Sequence, residues 1–209
     1  MSRIKSFEKY NKEYDEWFIR NKTIYLAELS AIKSLIPPGK IGVEIGVGSG
    51  RFALPLGIKV GVEPSKKMAE ISRDRGVQVY KGVAENLPFD SETFDFALMV
   101  TTICFVDDLV KSFEEVHRVL KPDGFIIVGF VDKNSEIGTQ YQLKKEKSKF
   151  YKDATFYSVE EVIDCLRKAH FKVISIKQTV FLSPSNKIDS VKEGYGEGSF
   201  VVIKANKTS

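Results

Sequence analysis

The chain has 209 residues, 43% hydrophobic and 29% charged, with a formal net charge of +4. That length suits one α/β domain with a small appendage, and so mild a charge argues against a nucleic-acid partner. The apolar runs are too short to span a bilayer and the start has no signal-peptide core, so a cytoplasmic protein with no membrane partner is expected. Cys104, Cys165, His117 and His170 stand apart without ligand spacing, so neither a disulfide framework nor a bound metal is expected.

Residues 4–36 keep a helical period, with Tyr10, Tyr14, Trp17 and Phe18 on it before "IYLAELSAIKSLI", and Pro37, Pro38 and Gly39 end it. Residues 1–38 are read as a helical lid segment and 39–205 as the main domain. Five strands follow in "IGVEIG", "IKVGVE", "VQVYKG", "FDFALMV" and "GFIIVGF", with helical stretches between several of them. One helix opens at Pro64–Ser65 and stops at Gly76, and another runs from Asp107 to "KPDG". Strand and helix alternating in this way imply a doubly wound, mostly parallel sheet with helices on both faces.

Towards the end, Ser158 and Glu161 form a capping box for a helix that stops at His170, a residue type that tolerates the left-handed turn there. "FKVISIKQTVF" and "GSFVVIKA" alternate, are joined by a polar loop, and read as a C-terminal antiparallel hairpin. The expected sheet therefore has seven strands.

The stretch "VEIGVGSGRF" closes a strand on three alternating glycines before helix-like sequence, which suits a binding turn. Glu44 precedes the first glycine, Glu63 ends the second strand and Glu85 follows the third, all at the strand ends where open α/β sheets take ligands. Three acids disfavour a phosphate. S-adenosylmethionine suits them better, since it brings an ammonium, a sulfonium, a ribose diol and an adenine amino group, and no phosphate.

"VEIGVGSG", "GVEPS", "AENLPF", "FDFALMVTTICFVDD" and "EEVHRVLKPDGFIIVGF" resemble consecutive motifs of the class I, Rossmann-like S-adenosylmethionine-dependent methyltransferases of the small-molecule type. The resemblance covers residues 40–205 and is specific by combination. It implies that Gly46, Gly48 and Gly50 wrap the methionine part of the cofactor and that Glu44 holds its ammonium. It further implies that Glu63, beside Pro64, accepts the ribose hydroxyls, that Ala84 and Glu85 frame adenine, and that Thr101 touches the ligand from below.

Plainer roles stand beside these: Glu44 or Glu63 as helix caps, and Glu85 as a solvated loop carboxylate. A short-chain dehydrogenase is a further alternative, because "GVEIGVG" has its glycine spacing and Tyr141 and Lys145 its Y-x-x-x-K spacing. Gly42 opens the strand instead of following it, which argues against that reading. A non-catalytic binder of S-adenosylmethionine is the remaining alternative.

For the acceptor, "TTICF" stands where methyltransferases of nucleic-acid amino groups and protein amides carry an Asn/Asp-Pro-Pro-Tyr/Phe turn, so a small molecule is expected. The variable aromatic segments, with Tyr14, Trp17, Tyr141 and Tyr151, are the expected acceptor site. Tyr14, Tyr141, Tyr151 and Asp107 are candidate bases, none of them singled out. Trp17 beside Glu13, Asp15 and Glu16 favours a small amine through cation–π attraction of about 0.5–2 kcal/mol, although a hydroxyl acceptor also suits an aromatic pocket. The same rings read equally as core.

Overall fold

A computed structural model describes residues 4–182 and 189–208. Residues 1–3 of the lid segment and 183–188 of the polar loop before the last strand lie outside the described residues.

The helical start is three helices, α1 (Lys5–Lys9), α2 (Asn11–Arg20) and α3 (Lys22–Lys33), where the period suggests one stretch. The breaks fall at Tyr10 and Asn21, both off helical geometry. Asn21 turns its side-chain amide back onto the Trp17 carbonyl at 3.0 Å, a local bond that competes with continued helix.

The five expected inner strands form as β1 (Gly42–Ile45), β2 (Val60–Val62), β3 (Gln78–Tyr80), β4 (Phe94–Val100) and β5 (Leu120–Val131). They are all parallel. Near its start β5 pairs Leu120 with Phe94 and then Phe125 with Phe96, so the Pro122–Gly124 stretch bulges out as the expected turn. The intervening helices are α4 (Lys66–Asp74) and α5 (Leu109–Val119). After β5 come α6 (Glu136–Leu143), α7 (Val159–Lys168), β6 (Phe171–Thr179), β7 (Lys192–Glu193) and β8 (Phe200–Lys207).

The sheet order is β3-β2-β1-β4-β5-β8-β6-β7. β8 inserts between β5 and β6 and runs antiparallel to both, which is the expected hairpin. The sheet has eight strands and not seven, because β7 adds a two-residue pairing of Lys192 and Glu193 with β6, too short to leave a period in the sequence. His170 has φ +59 and the Ser158–Glu161 capping box is complete, both as expected.

Alternation within the strands makes two cores. Ala97, Met99, Ile126 and Val128 face α5 and α7, while Phe96, Leu98, Phe125 and Ile127 face the side of α2 and α3. The chain winds outward from β1 to β3 and returns at β4, so the sheet reverses direction between β1 and β4. The crevice at that switch point is where open α/β sheets bind ligands.

Candidate active site

The glycine turn leaves β1 by donating the Gly46 and Val47 N–H groups to the Val62 carbonyl at 2.8 and 3.0 Å. Gly46 has φ +71, and a Cβ there would run into the Thr102 side chain. Gly48 and Gly50 follow at φ +54 and +79, in the same left-handed region.

Glu44 is buried inside β1, taking a hydrogen bond from the Ala53 N–H, while its Oε2 has no partner among the described residues. Burial, assisted by the charge of Glu63, pushes its carboxyl well above the usual range against that one bond. Glu63, one residue past β2, accepts the Gly48 N–H on Oε2 and the Ser65 N–H on Oε1, both at 2.9 Å. Burial raises it to about 7 in spite of those bonds. The cap of α4 is Ser65 itself, which takes the Met68 N–H at 3.3 Å. Glu63 instead links the glycine turn to the start of that helix, across the half-buried Pro64.

Ala84 is buried beside β3. Half-buried Glu85 accepts the Asp107 and Asp108 N–H groups at 2.6 and 3.2 Å, so it is no freely solvated carboxylate. Thr101, the residue after β4, has φ +50, and its side chain is hydrogen-bonded to the Tyr14 hydroxyl. The expected cofactor residues are thus gathered at the ends of β1, β2, β3 and β4.

The expected acceptor residues also come together. Tyr14, Trp17, Tyr141 and Tyr151 line one cavity of about 340 Å³, which Thr101 borders. Rings build its walls: Phe7 meets Tyr14 and Phe105 edge to face, Phe105 stacks on Tyr151, and Tyr151 stacks on Tyr141 at 4.9 Å. Burial holds the hydroxyls of Tyr14, Tyr141 and Tyr151 above their ordinary pKa, so as proton acceptors all three are disfavoured. Asp107 is exposed and is not among the lining residues.

Residues 43–128 match the methyltransferase-domain family. A crystal structure from Thermotoga maritima, described as an S-adenosylmethionine-dependent methyltransferase and possible histamine N-methyltransferase, is 56% identical with TM-score 0.94, covering 98% of this chain and 100% of its own. An uncharacterised protein of Methanocaldococcus jannaschii is 51% identical over 96% of this chain and 98% of its own. The chain belongs to the S-adenosylmethionine-dependent methyltransferases. More distantly, a demethylmenaquinone methyltransferase of Staphylococcus epidermidis is 33% identical over 44% of this chain and 43% of its own.

The cofactor of this methyltransferase is accordingly S-adenosylmethionine, and the dehydrogenase alternative falls. Its inserted antiparallel β8 belongs to the methyltransferase sheet, Tyr141 stacks in a wall of rings, and Lys145 lies in a separate short turn. Among the described residues no helix is long and apolar enough to cross a membrane.

Two features of the methyltransferase escaped the sequence reading. Asp15 on α2 receives paired hydrogen bonds from Arg51 at 2.9 and 2.7 Å and from Arg75 at 2.8 and 2.6 Å, and Arg75 also donates to the Ser49 carbonyl. This fastens α2 to the glycine turn. Against its own desolvation, those guanidinium groups hold the Asp15 carboxyl well below the usual carboxylate range. Glu28 on α3 is 5% exposed and lines the cavity, and burial lifts it to about 8. Its signal was legible: Ile24, Tyr25, Ala31 and Ile32 surround it on one helical face, where an acid is out of place.

Proposed function

We propose that the protein transfers a methyl group from S-adenosylmethionine to a nitrogen of a small aromatic amine held in the 340 Å³ cavity. The observation that carries this is the cavity's position and lining: it reaches Thr101, whose neighbour Thr102 abuts Gly46 of the glycine turn, and it is walled by aromatic rings together with Glu13 and Glu28. Its size sits at the lower end of the roughly 300–1,000 Å³ of small-molecule sites. The amine description of the Thermotoga maritima relative, 56% identical over nearly the whole chain, supports the same acceptor class.

The residues at the strand ends fit the cofactor. The orphaned Glu44 Oε2 suits an ammonium, and Glu63 keeps lone pairs for the ribose hydroxyls while two N–H groups fix its orientation. In this reading Gly46, Gly48 and Gly50 surround the methionine part, Pro64 stands beside the ribose, Ala84 and Glu85 frame adenine, and Thr101 marks the transfer end. Bound there, S-adenosylmethionine supplies a methyl carbon activated by a sulfonium.

The chain's own part is to hold a neutral nitrogen in line and exclude water, a contribution of about 7–11 kcal/mol from orientation. Residues 1–38 act as the cover and 39–205 as the catalytic domain, with Tyr14, Trp17, Tyr141 and Tyr151 enclosing the acceptor. The quinone-ring acceptor named for the Staphylococcus epidermidis relative is the second reading, carried by its sequence match. The test is turnover with S-adenosylmethionine on histamine, other arylalkylamines, phenols and hydroquinones, read by product mass. Methylated amines are expected, and methylation confined to phenols or hydroquinones overturns the amine acceptor.

A further inference from the structure

Glu28 is an acid that the fold does not need. It sits on the buried face of α3, and among the described residues no hydrogen bond or ion pair reaches its carboxylate. A buried polar group without a partner destabilises the empty protein, so such a group is retained where a ligand completes it. The rest of the cavity wall is mostly aromatic and aliphatic; its other charged residues are already paired, Arg20 with Glu16 and Glu13 with Lys149.

The place of Glu28 in the fold sets it apart from the transfer end. Helix α3 packs against β5, β6 and β8, whereas Thr101 directly follows β4. Neighbouring strands are about 4.8 Å apart, so β5 and β8 lie roughly 5 and 10 Å beyond β4.

Resting on the amine reading above, we propose that Glu28 anchors a cationic tail of the acceptor, and that the methylated nitrogen is a second group on the same molecule. A protonated amine has no lone pair with which to attack carbon, so a nitrogen held as a cation at Glu28 is not the one that takes the methyl. The acceptor class is thus a small aromatic molecule with an ammonium tail and a separate neutral nitrogen. The aromatic walls hold the ring between the two ends and add cation–π attraction to the tail.

The test uses the full chain saturated with S-adenosylhomocysteine and calorimetric titration with phenethylamine, with its neutral counterpart 2-phenylethanol, and with histamine. Wild type is expected to bind the two amines at least ~10-fold more tightly than the alcohol. Glu28→Gln is expected to reduce that preference to within about twofold, Glu28→Asp to retain part of it, and Glu28→Gln to raise the melting temperature of the ligand-free protein. Methylated histamine is expected to carry the methyl on the ring nitrogen. Equal binding of amine and alcohol by wild type, an unchanged preference in Glu28→Gln, a lowered melting temperature in that variant, or methylation on the tail nitrogen overturns the proposal. Amine methylation with an unchanged preference in Glu28→Gln removes the role of Glu28 alone. A Glu28-dependent cation preference without any amine methylation removes the functional reading alone.

Discussion

The two ends of the site are built on different principles. At the proposed cofactor end, Glu44, Gly46, Gly48 and Glu63 fall within 20 consecutive residues, and main-chain groups orient the acids: Ala53 for Glu44, Gly48 and Ser65 for Glu63. At the proposed acceptor end Tyr14, Glu28, Phe105 and Tyr151 come from four separate stretches and meet only as side chains. A backbone-built site binds the part of a reaction that stays constant, and a side-chain-built site can change its ligand without disturbing the sheet.

Both ends nonetheless hold raised acids, and their titration is the broadest way to break the comparison. Glu63 at about 7 and Glu28 at about 8 lie above an unfolded carboxyl near 4.5. In that window the folded chain binds more protons than the unfolded one, so stability is full below about pH 4.5 and falls as pH rises through 7 and 8. The groups facing Glu28 are Tyr25, Tyr141 and Tyr151, and those facing Glu63 are Glu8, Glu44 and Tyr14. The loss is on the order of 3 kcal/mol or more per acid. Urea unfolding of the ligand-free protein at pH 5.5 and pH 8.5, beside Glu63→Gln and Glu28→Gln, measures it. Each variant is expected to flatten the profile, and equal profiles for all three proteins would refute the burial argument at both ends.

Glu63→Ala sharpens the division between the ends. It is expected to weaken S-adenosylhomocysteine binding by roughly 1.5–3 kcal/mol, about 10- to 150-fold, while the acceptor Michaelis constant at saturating cofactor stays within about twofold. Unchanged calorimetric affinity would reduce Glu63 to a brace between the glycine turn and α4.

What the sequence made legible follows the same division. Strand alternation, the glycine turn and the left-handed His170 are local properties of the chain, and each was readable before any contact was known. The aromatic residues were readable as a group, since Tyr14 and Trp17 keep a helical period, but their meeting with Tyr141 and Tyr151 depends on tertiary packing. β7 was too short to leave a pattern, and the breaks at Tyr10 and Asn21 go with single side-chain bonds that compete with helix, from the Asn11 amide to the Glu8 carbonyl and from the Asn21 amide to the Trp17 carbonyl. Asp15 is the clearest omission. Its partners Arg51 and Arg75 lie 36 and 60 residues away, and nothing in "YDEW" itself announces them.

That Asp15 cluster joins the two ends, and it carries the smallest of the expected effects. Arg51 and Arg75 converge on one carboxylate of α2, Arg75 also holds the Ser49 carbonyl inside the glycine turn, and the Tyr25 hydroxyl donates to the Arg51 carbonyl at 2.6 Å. Asp15→Asn keeps the shape and removes the charge, so the bonds weaken while the helix stays in place. The expected cost is roughly 1 kcal/mol, about fivefold in S-adenosylhomocysteine affinity, with a similar rise in the acceptor Michaelis constant because the same helix carries Tyr14 and Trp17. Asp15 titrates below the usual carboxylate range, so its contribution is present above about pH 3.8 and is lost only as pH falls. The Asp15→Asn effect is therefore expected to be the same at pH 5.5 and pH 8.5, unlike those at Glu63 and Glu28. A change confined to the acceptor constant, with cofactor affinity untouched, would mean that α2 bears on the acceptor alone and that the two ends are not mechanically joined through Asp15.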